Sequence, residues 1–141
     1  MKNYEHYQVS PEDIIKHWEL FGSLIFKAMD KGEEEDYTLE GAYRRLISSE
    51  WQLFVALDNK ELSFIFVTCV IPYDLNKYLH SIYTAAIDGK KISFKYYDKC
   101  TVEIAKNFGC TKISGGGRKG WTRIITKYGY ENKPLVVKKV G

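Results

Sequence analysis

The chain has 141 residues, enough for one domain (residues 1–141) that buries a hydrophobic core without help from disulfides or metals. Its 45% hydrophobic, 28% charged and 15% aromatic residues exclude a disordered or fibrous chain. The net charge of +3 divides into a basic stretch, Gly89–Gly141 with 13 Lys and Arg against 3 Asp and Glu, and an acidic one, Met1–Asp88 with 8 against 15; that division suits either phosphate partners or a surface that pairs with itself.

In chain order, a short strand is expected at His6–Val9. Ser10-Pro11-Glu12-Asp13 then opens a helix: Ser10 caps, Pro11 fits the first turn, and the two acids suit the positive helix end. Ile14, Trp18, Phe21 and Ile25 recur at helical spacing along it, and Asp30–Asp36 reads as an exposed connection. Thr38 caps a second helix with Leu39, Ala42, Tyr43, Leu46 and Ile47 on one side. The period then changes: Leu53–Leu57 and Leu62–Ile71, separated by Asp58-Asn59-Lys60-Glu61, predict an antiparallel hairpin whose second strand, apolar on both faces, is central. Tyr78–Ile87 is a third long strand, neighbour to the second. A basic helix follows from about Lys91 to Phe108, with Tyr97, Thr101, Ile104, Ala105 and Phe108 inward and Gly109 closing it. Lys112–Ser114 is a short strand broken by Gly115-Gly116-Gly117. Trp121, Ile124, Ile125 and Tyr128 mark a last helix, and Pro134–Val140 a last strand. The fold class expected is α/β (α+β), with helices over a mixed, mostly antiparallel central sheet.

The longest apolar run, Leu62–Pro72, is about half of what a bilayer crossing needs, and the N-terminus has no apolar signal core. A soluble protein inside a cell, with no membrane partner, is expected. Three cysteines, Cys69, Cys100 and Cys110, with no C-x-x-C spacing disfavour both a disulfide framework and a zinc ribbon. His6, His17 and His80 lack metal-ligand spacing, so no metal site is expected. Nucleic-acid binding by the basic half lacks a stacking or groove-reading pattern.

This order of elements resembles the GNAT fold, the acyl-CoA N-acyltransferase superfamily, over nearly the whole chain. The hairpin from Trp51 to Thr68 looks like that fold's central antiparallel pair. Ala105-Lys106-Asn107-Phe108-Gly109-Cys110, then Gly117-Arg118-Lys119-Gly120-Trp121 with Arg123, then Tyr128-Gly129-Tyr130 are similar to small GNAT-like proteins of tailed bacteriophages, including short-tailed ones. That resemblance implies a virion-associated or virion-assembly protein, with phage virion or internal proteins as partners, located in the host cytoplasm during infection or in the virion. The alternative it implies is an active N-acetyltransferase that moves acetyl from acetyl-CoA to a small amine or a host protein.

For acetyl-CoA, the resemblance implies an Arg/Gln-x-x-Gly-x-Gly/Ala loop after the third long strand, where backbone N–H groups face a pyrophosphate. Here the stretch reads Asp88-Gly89-Lys90-Lys91-Ile92-Ser93-Phe94-Lys95. Gly89, Lys90, Lys91 and Lys95 are the cofactor-binding candidates, but with one glycine the expectation is a degenerate site and no cofactor, or acetyl-CoA under the alternative. The family's base is often a Glu near the central strands; Tyr78–Ile87 offers only His80 and, at its end, Asp88. The family's acid position, counted back from Tyr130, falls on Ile125, leaving Tyr128 as a weak substitute. Gly115–Gly120 leads into a helix without a P-loop ending, so a tight turn is expected there, with Arg118, Lys119 and Arg123 as candidates for contact with a partner or an anion.

Overall fold

The computed structural model describes residues 3–31, 36–115, 126–131 and 138–140. Strand β1, Tyr4–Val9, runs directly into the cap at Ser10, whose hydroxyl accepts from the Asp13 amide at 3.3 Å. The single helix expected there is two, α1 (Pro11–Lys16) and α2 (Trp18–Lys31). His17, at φ −113° and ψ 26°, leaves the helical region, and its carbonyl accepts from both the Leu20 and Phe21 amides at 3.1 Å. The break lets α1 lie against α3 while α2 lies along the sheet at the third long strand. Helix α3, Leu39–Ile47, starts where expected, with Thr38 Oγ1 accepting from the Gly41 amide at 2.9 Å.

The hairpin is β2 (Trp51–Asp58) and β3 (Glu61–Pro72), joined by Asn59 and Lys60 at φ 52° and 69°. Two consecutive positive φ angles define the tight turn whose twist matches paired strands. Strand β4, Lys77–Ala86, follows, then α4 (Phe94–Asn107) and β5 (Lys112–Gly115). The sheet order is β1-β2-β3-β4-β5, antiparallel except for the parallel pair β4–β5, so β3 is central as its two apolar faces require. Helix α4 begins three residues later than the basic stretch suggests because Ser93 caps it, accepting from the Tyr96 amide at 3.3 Å.

Helices α1–α3 cover one face of the sheet, burying Ile14, Phe21, Ile25 and Leu46 against Leu53, Ile65 and Val67. Helix α4 covers the other, burying Tyr97, Cys100, Ile104 and Ala105 against Phe54, Phe64, Phe66 and Leu79. Cys100 and Cys110 are buried and Cys69 half-buried, all as free thiols. The expected last helix lies mostly outside the described residues; Thr126–Tyr128 forms a single 3-10 turn, and Gly129 follows at φ 90°. Of the expected last strand, residues 134–137 lie outside the described part and 138–140 carry no strand. Among the described residues, no helix is long and apolar enough to cross a membrane.

Candidate functional site

The parallel pair β4–β5 is short. Its register runs from Tyr78 opposite Lys112 to Ser81 opposite Gly115, while β4 itself continues to Ala86. Where that ladder ends, β4 carries a bulge: Val67 pairs with Tyr83 and Thr68 with Ser81, so Ile82 has no partner on β3. The extra residue turns Ile82 and Tyr83 both into the core under α1–α3. Gly115 is required by the close approach of β5, since a Cβ there would come within 3.0 Å of the Ser81 carbonyl oxygen.

His80 lies one residue before the end of the ladder, and its Nδ1 is 2.9 Å from Ser114 Oγ on β5. That contact fixes the ring across the two strands. The imidazole lines an open pocket of about 600 Å³ at the β3–β4 turn, together with Ile71, Tyr73, Asp74, Tyr78 and Ser114. The turn is pinned at two places: the Tyr73 amide donates to the Asn76 carbonyl at 3.0 Å, and Thr111 Oγ1 donates to Asn76 Oδ1 at 2.9 Å.

On the opposite face, under α4, Ser81 and Tyr97 are hydrogen-bonded through their hydroxyls, both buried. One turn on, Thr101 Oγ1 donates to the Tyr97 carbonyl at 2.9 Å. Burial pushes the Tyr97 and Tyr130 phenols up, so both stay neutral in ordinary buffers.

The other sequence candidates are placed apart. Asp88 lies beyond the far end of β4 from His80, over roughly 20 Å of strand at the usual rise per residue, with its side chain 99% exposed and 3.2 Å from Lys27 Nζ. It does not share the pocket with His80. Tyr128 is half-buried, at the end of the 3-10 turn. Gly89 has φ 81° and open space around it, so a turn explains it, closed by the Lys90 amide donating to the Ile87 carbonyl at 2.9 Å. Lys90 Nζ is 3.5 Å from Glu61 across the hairpin, an ion pair between the basic and acidic parts of the chain. Lys91 and Lys95 are exposed at the start of α4. Arg118, Lys119 and Arg123, with Trp121, lie outside the described residues. Among the described residues no group of three or more His, Cys, Asp or Glu is placed to hold a metal.

Sequence reasoning found His80 but missed Tyr73, Asp74, Tyr78 and Ser114 around it. The turn carrying the first two reads as a plain connection, and Ser114 meets His80 only through a parallel register between positions 34 residues apart.

The sequence matches no protein-family model and no curated protein sequence. The similarity is structural. The chain superposes on the aminoglycoside N-acetyltransferase AAC(6')-Iy in complex with CoA at TM-score 0.67 and 9% identity, covering 100% of this chain and 96% of that one. For a predicted acetyltransferase with acetyl-CoA from Clostridium acetobutylicum the TM-score is 0.66 at 16% identity, with 99% and 96% covered. For the ribosomal-protein-alanine N-acetyltransferase of Brucella melitensis biovar Abortus 2308 it is 0.68 at 9% identity, with 97% and 100% covered. The chain has the GNAT acetyltransferase fold. In this GNAT fold His80 belongs to the short parallel pair, two residues before the bulge at Ile82, and lines the pocket at the β3–β4 turn.

Proposed function

We propose that the protein is an acetyl-CoA-dependent N-acetyltransferase whose acceptor amine enters the pocket beside His80. One observation carries the reading: the imidazole, oriented by Ser114, lines the pocket at the β3–β4 turn, one pair before the β4–β5 ladder stops. A general base must be within hydrogen-bond reach of the proton it takes, and of the two sequence candidates His80 lines this pocket, while Asp88 stands in open solvent beyond the end of β4, beside Lys27.

The start of α4 fits a pyrophosphate in part. A 14-residue helix presents its positive end there, and among the described residues neither Lys91 nor Lys95 is engaged in an ion pair. Those two lysines and the first-turn amides would hold the phosphates, without the glycine cradle that the fold elsewhere employs. Bound acetyl-CoA supplies the activated acetyl group. His80 takes one proton from the entering ammonium; the freed amine nitrogen then bonds to the acyl carbon as the carbon–sulfur bond breaks, and the departing sulfur takes the second amine proton.

The expectation of a virion-associated protein rests on the resemblance carried by Ala105–Cys110, Gly117–Trp121 with Arg123, and Tyr128–Tyr130, of which Gly117–Trp121 and Arg123 lie outside the described residues, and the expectation of a degenerate acetyl-CoA site rests on the lone Gly89 in Asp88–Lys95. The neighbours named above are acetyltransferases, so the transferase reading is preferred.

The test is calorimetric titration with acetyl-CoA, together with release of free thiol on a panel of primary amines. Binding that weakens about tenfold or more in the Lys91→Glu, Lys95→Glu double variant is expected, as two phosphate contacts of opposite charge are lost. His80→Ala should lower kcat/KM by about 100-fold, the lower range for a lost general base, with acetyl-CoA affinity unchanged. Absence of acetyl-CoA binding, or a His80→Ala enzyme as active as the wild type, overturns the reading.

A further inference from the structure

We infer that the pocket at the β3–β4 turn seats an alkylammonium group against the corner formed by the rings of Tyr73 and Tyr78, beside the carboxylate of Asp74. The inference rests on the acyltransferase reading only in making that ammonium the acceptor; the binding itself needs no transfer step.

The two tyrosine rings lie 5.2 Å apart at 80°, so they form a corner with two differently directed aromatic walls. A cation within about 6 Å of a ring centroid is drawn to the negative face of the ring. Tyr78 already works in this way, for Lys112 Nζ stands 5.8 Å from its centroid, near the outer limit of that range. Asp74 adjoins Tyr73 in the turn, and among the described residues no ion pair engages it. The nearest lysine in sequence, Lys77, is drawn off to the α4 C-terminus, where its Nζ donates to the Phe108 carbonyl at 2.6 Å.

The lining described for this pocket holds one carboxylate and neither Lys nor Arg. Ring faces and a carboxylate repel an anion and attract a cation. Ile71 offers an apolar wall for the carbon chain, and about 600 Å³ accommodates an amine of several carbons. Because the turn is pinned by its own hydrogen bonds and by Thr111, little order has to be created on binding. His80, in the same lining, stands where the ammonium proton would be taken.

The experiment is an NMR titration of the full chain without acetyl-CoA, using n-pentylammonium, Nα-acetyl-lysine methylamide and the neutral isostere n-pentanol. Both ammonium probes should shift the Tyr73, Tyr78 and His80 ring signals saturably and bind at least about fivefold more tightly than n-pentanol. The tighter of the two assigns the group to a free amine or to a lysine side chain, and either result upholds the inference. Asp74→Asn should weaken ammonium binding about fivefold or more and leave n-pentanol unaffected. Tyr73→Leu should lose about fivefold while Tyr73→Phe stays within about twofold, which separates ring-face attraction from mere bulk. Equal binding of n-pentanol, no saturable shift, or an Asp74→Asn variant that binds as the wild type overturns the inference. Ammonium binding without acetyl transfer would instead sink the transferase reading and leave this one standing; transfer with binding and KM both indifferent to Asp74→Asn would do the reverse.

Discussion

Ser81 and Tyr97 show how much one hydroxyl pair depends on being a pair. Both side chains are buried between β4 and α4, with Ser81 at 8% and Tyr97 at 9% exposure, so neither can turn to water if its partner is lost. Tyr97→Phe should therefore cost about 1–2 kcal/mol, the range for stranding a buried polar group. Adding Ser81→Ala to that variant should recover most of the loss, because no unsatisfied hydroxyl then remains. Urea unfolding of the single and double variants measures both effects, and a double variant weaker than Tyr97→Phe alone would show that the serine does something else. His80 was visible in the sequence because β4 holds no carboxylate before its end. The role proposed for it depends on Ser114, which only the folded sheet brings within 2.9 Å.

At the scale of elements, the turn between β2 and β3 holds Lys60 at φ 69°, a conformation in which a side chain is crowded by its own backbone. Lys60→Gly should stabilise the protein by about 1 kcal/mol, the cost of left-handed backbone for a residue with a Cβ. A thermal melt that fails to rise would place that cost elsewhere. Much of this level was legible in advance. Ser10, Thr38 and Gly109 mark helix ends by chemistry that works within a few residues, and the double apolar face of Phe64–Val67 could only belong to a central strand. What stayed hidden depends on partners distant in sequence. The break at His17 answers to α3 and the sheet lying in different directions, and the bulge at Ile82 exists only relative to β3. The late start of α4 was a local signal read past: Lys91 and Ile92 look helical, but Ser93 is the better cap.

At the scale of the whole molecule, the α4 side of the core holds ionisable groups in their neutral forms. Burial, as the largest cause, pushes the Cys100 thiol from 9.0 to about 12 and the Tyr96 phenol from 10.0 to about 12, and raises Tyr97 as well. In the unfolded chain these groups release their protons first, so above pH about 9 the folded state binds more protons than the unfolded. Stability should thus be untouched by these groups below pH about 9 and fall as pH rises from there toward about 12. Urea midpoints taken across that range check the sign. In Cys100→Ala the decline should begin about one pH unit later, when only the phenols remain. A midpoint that rises between pH 9 and 11 would contradict the assignment of burial as the cause.

The sheet also has an order of assembly. Strands β2, β3 and β4 are consecutive, joined by turns of two residues, Asn59–Lys60, and four, Tyr73–Asn76, so their pairing closes only short loops. Strand β5 has four residues and reaches β4 only after the chain has wound through α4. Short loops close early and long ones late, and the contacts made last over the least surface are the first to open. Ser114 belongs to that last strand. Mild denaturant should then detach β5 and break the contact between His80 and Ser114 while the meander beneath it stays intact. The proposed acetyl transfer would vanish before the circular dichroism of the core changes, and the protein would pass through a state that is folded by every bulk measure and chemically silent.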